Sequence, residues 1–221
     1  MSEEVLIPKM TRIDKTKRKV KIPLLNFAVV IFGTLLIIAS TFVDIGIKHY
    51  IIPANLFSNN NLGLEDFIFS FYLIPQVPVI MFVCAVLGKR MSLTSVVLYI
   101  LTGLFLFPVF ALGGGVKYIA QYGFGYILAY IPAVLIAGSF LNQKYSFPNM
   151  IKAAITGVLT IHLGGILYMI LIALIKHPGH GFISNWIFAQ SGLKIVYDLI
   201  AGFICILIGK YLHAGLKFIK E

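Results

Sequence analysis

Residues 101–115, LTGLFLFPVFALGGG, form an apolar run that ends in three consecutive glycines. Pro108 removes a backbone N–H donor near the end of the run, and Gly113, Gly114 and Gly115 follow it closely. A membrane span more commonly ends in aromatic or basic anchors than in a flexible turn. Because glycine has no side chain, this triplet either lets the backbone approach a ligand or forms a short hairpin between two spans. Composition alone favours the hairpin, and both interpretations stay open.

The rest of the chain is equally apolar. Of its 221 residues, 59% are hydrophobic and 12% are charged. A soluble domain of this size needs more charged surface, so most of the chain is expected to face lipid. Its length suffices for about six spans of roughly 20 residues each. Cys84 and Cys205 lie inside apolar runs, which indicates buried small side chains and not a disulfide.

The hydropathy pattern predicts an all-α integral membrane protein, a six-transmembrane-helix bundle, with spans at about 22–46, 66–88, 91–111, 117–141, 150–175 and 187–212. The predicted organisation is a basic tail (1–21), a membrane domain (22–212) and a C-terminal tail (213–221).

The second predicted span contains Pro75 and Pro78 on either side of Gln76. Each proline removes a backbone donor, and interrupted backbone at membrane depth is tolerated where it lines a cavity. An amide that faces lipid would be costly, so Gln76 favours a cavity wall. A simple proline kink is the alternative.

Basic residues predict the orientation. The net charge is +10, and residues 1–21 hold seven Lys or Arg before the first apolar run. Such a tail sets orientation and attracts anionic membrane lipid, so lipid is the expected partner and nucleic acid is not. With the N-terminus inside, all but four of the 18 basic residues fall in inside segments, the others being Lys48, Lys117, Lys176 and, within a span, Lys194. Both termini are therefore predicted to be cytoplasmic.

The segment VLYILTGLFLFPVFALGGG, residues 97–115, resembles the BioY biotin-transport family, in which the corresponding segment reads Y-x-x-x-G-x-x-G-L-P-V-F-A-G-G. The matching positions are Tyr99, Gly103, Pro108, Val109, Phe110, Ala111 and the glycines, whereas Leu106, Phe107 and Leu112 depart from the pattern.

Weaker matches extend this resemblance over residues 65–212. Gln76 falls on the glutamine of the family, and Tyr126 falls in its G-Y pair. Asp198 matches the aspartate of its G-D-L-I-K-A segment. The lysine of that segment is replaced by Ala201, and Lys194 lies four residues before the aspartate.

The resemblance implies the substrate-binding S component of an energy-coupling factor (ECF) vitamin transporter. Such a component is a multi-pass protein of the bacterial cytoplasmic membrane that holds biotin near the outer face. A transmembrane coupling protein and two ATPase subunits supply the energy. The substrate-binding residues so predicted are Gln76, Tyr99, Gly113, Gly114, Gly115, Tyr126, Lys194 and Asp198.

Lys194 and Asp198 are spaced i,i+4 on one helical face. The aspartate is suited to accept a ureido N–H of biotin, and the lysine to meet either the ureido oxygen or the ligand carboxylate. Alternatively the two charges neutralise each other. Tyr126, Tyr122 and Trp186 are candidates for an apolar wall, although an interfacial aromatic belt is favoured for Trp186.

Catalytic and nucleotide-binding motifs are missing from the sequence. It has no H-E-x-x-H, G-x-S-x-G or P-loop pattern, so we expect neither an enzyme nor a cofactor. His177 and His180 lack a third ligand nearby, which argues against a metal site. His162 is interpreted as an interhelical hydrogen-bonding residue. A carrier driven by an ion gradient through Asp198 and a structural scaffold are the alternative functions.

Overall fold

The chain folds into a helical bundle with a small two-stranded sheet, in a computed structural model that describes residues 24–52, 63–143 and 146–218. In chain order the elements are α1 (Leu24–Thr41), β1 (Ile45–Tyr50), β2 (Ile68–Leu73), α2 (Gln76–Leu101), α3 (Phe124–Leu141), α4 (Phe147–Lys176), α5 (Phe182–Gln190) and α6 (Lys194–Phe218). The predicted tail 1–21 lies outside the described residues, as do the side chains of Lys144, Lys217 and Lys220.

Within the described ranges, five helical segments are long and apolar enough to cross a membrane: Leu24–Thr41, Gln76–Leu106, Phe124–Leu141, Phe147–Lys176 and Phe182–Ala214. The expectation of a helical chain with several membrane-capable segments is confirmed. The second and third predicted spans, 66–88 and 91–111, both overlap the single 31-residue segment Gln76–Leu106, which begins after residue 66 and ends before residue 111.

Gly88 divides α2 into two parts that lie side by side. Its φ of 75° and ψ of 170° are not helical, and glycine adopts a positive φ without steric cost. The Nε2 atom of Gln76 lies 2.7 Å from the hydroxyl of Tyr99, 23 residues away. A straight helix would separate them by about 35 Å. The chain therefore reverses at Gly88, and Lys89 and Arg90 follow directly at the turn.

Extended backbone replaces the predicted beginning of the second span. β1 and β2 pair antiparallel, from Ile45 opposite Leu73 to Tyr50 opposite Ile68. Exposure alternates along both strands, and their β-branched and aromatic residues favour a pleated conformation. Helix α2 consequently begins ten residues later than the predicted boundary at 66.

Small residues bring α3 and α4 into close contact. A Cβ atom on Gly125 would lie 2.1 Å from the Cβ of Tyr168, and one on Gly165 would lie 2.4 Å from the ring of Tyr126. Glycine at such interfaces lets membrane helices approach each other. The Tyr126 ring consequently packs edge-on against His162 of α4, with 5.9 Å between ring centroids.

The three glycines form a tight turn that returns to the end of α2. Gly113 and Gly115 have φ values of 117° and 84°, which disfavour any side chain. The Gly115 N–H donates to the carbonyl of Gly103 at 2.8 Å. A Cβ on Gly114 would lie 2.6 Å from the Cα of Pro108. Gly113 and Gly115 thus allow the backbone conformation of the turn, and Gly114 allows the loop to pack closely on the segment before it.

Candidate binding cavity

A cavity of about 300 Å³ lies where β2 meets α2 and where α3 and α6 begin. This volume is at the lower end of the range of small-molecule sites. Apolar side chains such as Leu73, Val77 and Ile127 form part of the wall. The polar and aromatic side chains that line it are Asp44, Tyr72, Gln76, Tyr118, Tyr126, Tyr130, His162, Trp186, Gln190, Lys194 and Asp198.

Gln76 is held by three neighbours at the start of α2. Its amide nitrogen donates to the hydroxyl of Thr41 at 2.8 Å and to that of Tyr99 at 2.7 Å. Its amide oxygen accepts from the Tyr130 hydroxyl at 2.8 Å. Both amide protons are used, and one acceptor position of the oxygen remains. The side chain therefore has a fixed orientation, tied to α1, to the second part of α2 and to α3.

A second polar cluster connects α6, α4 and α3. Asp198 Oδ2 lies 3.1 Å from Nε2 of His162. The Nδ1 atom of His162 lies 3.0 Å from the Ser191 hydroxyl, which is 2.7 Å from that of Tyr126. His162 and Asp198 are each 3% exposed. The interhelical role predicted for His162 is confirmed.

Two residues of the lining each carry a buried polar atom that has no hydrogen-bond partner among the described residues: Asp198 its Oδ1 atom and Trp186 its Nε1 atom. Leaving such an atom unpaired costs about 1–3 kcal/mol, so native proteins seldom do so. One atom is an acceptor and the other a donor. Together they fit a ligand that carries both an N–H group and a carbonyl or carboxylate oxygen.

Lys194 is not paired directly with Asp198. Its ammonium donates to Gln190 Oε1 at 3.4 Å, and the described side-chain partner of Asp198 is His162. The predicted alternative of mutual neutralisation therefore lacks a direct contact. Lys194 is half-buried, and Asp44 in the same lining is exposed. An ammonium so placed remains available to an anionic group of a ligand.

Aromatic rings form one wall of the cavity. Trp186 stacks on Phe182 with 5.7 Å between ring centroids and lies 5.4 Å from the ring of Tyr122. Trp186 thus faces the cavity, although the sequence favoured an interfacial belt for it. Tyr118 is buried beside the triple-glycine turn, and burial raises the pKa of its phenol.

Four of the predicted site residues share this cavity: Gln76, Tyr126, Lys194 and Asp198. Tyr99 is fully buried and does not line the cavity, but its hydroxyl accepts from Gln76, which does. The triple glycine is absent from the lining, to which the preceding residues Ala111 and Leu112 contribute.

The sequence did not point to Asp44, Tyr130 or Ser191, because nothing local marks Asp44 as part of the lining, Tyr130 as a partner of Gln76, or Ser191 as a partner of His162. The sequence did offer a signal for the pair that His162 and Asp198 form, because each is a polar residue within a predicted span.

Metal-binding groups are not assembled within the described ranges. No cluster of three or more His, Cys, Asp or Glu side chains is close enough there to hold an ion. His177 and His180 line a separate, open depression between α4 and α5.

Comparison with known proteins gives three consistent matches. The family model described as the BioY family matches residues 14–218. A protein of Lysinibacillus sphaericus named "Probable biotin transporter BioY" is 34% identical over 85 residues, which cover 38% of this chain and 43% of that relative. The aligned region is thus less than half the length of that relative.

The chain is similar to a crystal structure of the S-component for biotin from an ECF-type ABC transporter, with a TM-score of 0.62 and 21% sequence identity between the two. The match covers 86% of this chain and 92% of that one. At this identity the likeness concerns the fold.

Proposed function

Because the chain belongs to the BioY family, we propose that it is the biotin-binding membrane component, or S component, of a vitamin-uptake transporter. A separate transmembrane coupling protein and two ATPase subunits would supply the energy. The observation that carries the proposal is that Asp198, a residue lining a small cavity with aromatic walls, has a buried Oδ1 atom without a hydrogen-bond partner among the described residues.

The chemistry of biotin complements this cavity. Its ureido ring offers two N–H donors and a carbonyl acceptor, which suit Asp198 Oδ1 and the Trp186 indole N–H. The apolar thioether ring and the valeryl chain suit the aromatic wall. The ligand carboxylate suits Lys194, which supplies a charge-assisted hydrogen bond.

We extend the proposal to the topology: six spans, with both termini in the cytoplasm of a bacterial cell. The reversal at Gly88 supports counting the segment Gln76–Leu106 as two spans. Lys89 and Arg90 at that reversal support a cytoplasmic location for it. A reporter enzyme that works only in the cytoplasm should be active when it is fused after residue 221. A reporter that works only outside the cytoplasm should be active when it is inserted at Gly179. The opposite pattern would contradict this topology.

The sequence of α1 does not by itself identify a docking surface for the proposed coupling protein. In the family, small residues spaced A-x-x-x-A on the first span dock this partner, and here Ala28, Gly33 and Ala39 do not have that spacing. Gly33 is buried, and a Cβ on it would lie 2.8 Å from Ser95 Oγ. Ala28 and Ala39 are exposed. Ala28 and Ala39 are therefore available to a partner helix, whereas Gly33 already packs against Ser95 within the chain.

The test of the function is ligand binding by the purified chain. Isothermal titration in lipid nanodiscs should give saturable binding of biotin and of dethiobiotin, which retains the ureido ring. It should give no binding of lipoic acid, which has a sulfur ring and a carboxylate but no ureido group. No saturable binding of biotin would contradict the proposal and favour a structural scaffold.

Energy coupling is tested separately in cells. Biotin uptake should collapse when the ATPase subunits are deleted. Continued uptake that responds to collapse of the proton or sodium gradient would instead favour the stand-alone carrier.

A further inference from the structure

We propose that His162 is the positioning residue of the cavity: it orients the carboxylate of Asp198 toward the ligand, and a hydrogen-bond chain from Tyr126 through Ser191 fixes its imidazole. This inference rests on the proposed function, because it assigns the device that prepares the same site.

The contact between His162 and Asp198 sets the direction of the carboxylate. Asp198 Oδ2 lies 3.1 Å from Nε2 of His162, and both side chains are almost fully buried. An ionised carboxylate accepts hydrogen bonds and cannot donate them, so the proton of this bond resides on Nε2. With Oδ2 held in this way, Oδ1 is the oxygen left for a ligand.

The remaining contacts are satisfied by one neutral tautomer of His162. In a neutral imidazole with its proton on Nε2, Nδ1 is an acceptor. The Ser191 hydroxyl at 3.0 Å then donates to Nδ1, and it accepts from the Tyr126 hydroxyl at 2.7 Å. Ser191 is 1% exposed, so bulk water cannot substitute for either contact. All donors therefore run in one direction, from Tyr126 to Asp198.

Each residue of this hydrogen-bond chain comes from a different element. Tyr126 belongs to α3, His162 to α4, Ser191 to the connection between α5 and α6, and Asp198 to α6. The connection is anchored by a backbone hydrogen bond from Ser191 to the carbonyl of Ile187 at 2.8 Å. The carboxylate is therefore correctly oriented only when these elements are packed together. A ligand then meets a prepared acceptor and does not have to order it.

Three substitutions at His162 test this role. His162→Ala should weaken biotin binding at least about tenfold in isothermal titration, because Asp198 loses its orienting donor. His162→Gln should recover most of that loss, because the glutamine amide reaches the position of Nε2 and offers an N–H there. His162→Asn should not, because the shorter amide replaces Nδ1. Equal affinities of the Gln and Asn variants, or losses that merely follow their unfolding temperatures, would overturn the proposal.

A spectroscopic measurement on the unsubstituted protein keeps the proposal testable if the variants do not fold. Nitrogen-15 NMR of histidine-labelled protein in nanodiscs should show a neutral, Nε2-protonated tautomer for His162. A tautomer protonated on Nδ1, or an imidazolium, would contradict the assigned direction of the chain. This measurement needs no ligand, so it distinguishes failure of this inference from failure of the proposed function. If the unsubstituted protein fails to bind biotin while its tautomer is as assigned, only the function is refuted.

Discussion

Replacing Asp198 with asparagine removes one charge and keeps the shape of the side chain. In the native site, Oδ2 accepts from His162 and Oδ1 has no partner among the described residues. The asparagine oxygen can still accept from Nε2 of His162. Its NH₂ group then occupies the position of Oδ1 and presents a donor where the proposed ligand also presents a donor.

The size of the effect follows from this mismatch. A hydrogen bond to a charged acceptor contributes about 1.5–3 kcal/mol, and an unpaired buried N–H on the ligand adds to the loss. We therefore expect Asp198→Asn to weaken biotin binding by about 2–3 kcal/mol, which is roughly 30- to 150-fold in Kd. The unfolding temperature should change little. Weakening of the bond to His162 is offset because a buried, unpaired charged oxygen is removed.

The assay is isothermal titration of the purified variant with biotin, combined with thermal unfolding in the absence of ligand. Glu65→Gln is the matched control, since it also neutralises a carboxylate but is exposed and outside the cavity lining. The control should bind biotin like the unsubstituted protein. Unchanged affinity in Asp198→Asn, or an affinity loss accompanied by a large drop in unfolding temperature, would refute the assignment of Asp198 as a ligand acceptor.

Three further substitutions test other parts of the structure. Lys194→Met should weaken the binding of biotin more than that of biotin amide, because we expect the ammonium to meet the ligand carboxylate. Equal losses of affinity for the two ligands in titration would instead assign the ammonium to the ureido oxygen. Trp186→Phe should keep the aromatic wall but lose the indole N–H, and we expect affinity to fall about three- to tenfold, in line with one neutral hydrogen bond; unchanged affinity would exclude that donor. Gly114→Ala should lower the free energy of unfolding by about 1–3 kcal/mol, because its Cβ meets backbone atoms. Gly179→Ala, with open space around the new Cβ, should not lower it. Similar thermal unfolding of the two variants would contradict the packing role of Gly114.

Hydropathy sufficed to predict the helical membrane domain but not the local conformation of every apolar segment. The run that begins near residue 66 is apolar enough for a helix, yet residues 68–73 form a strand. Both conformations bury apolar side chains, and the pairing with β1 that decides between them is a long-range contact. The reversal at Gly88 was easier to predict, because the Lys89–Arg90 pair interrupts the apolar run.

The site was predictable where a residue carries its own signal. Gln76 and Asp198 are costly to place in lipid, so their position in a cavity follows from their chemistry. Tyr99 also carried a motif signal, but the structure uses it to hold Gln76 and keeps it out of the lining. Ser191 carried no signal, since its importance arises from contacts with residues 29 and 65 positions away. One-dimensional spacing cannot encode such neighbours.

The cavity contains a conflict between stability and binding. Among the described residues, neither the Oδ1 atom of buried Asp198 nor the buried indole N–H of partly exposed Trp186 has a hydrogen-bond partner. Apolar residues at these positions would remove that cost, so stability alone does not explain the two polar groups. By contrast, the surrounding network leaves few unpaired atoms, as the contacts of Gln76 and His162 illustrate. Polar groups unsatisfied within a satisfied network are expected at a site whose partner arrives from solution. We therefore expect the proposed ligand to supply the missing donor and acceptor.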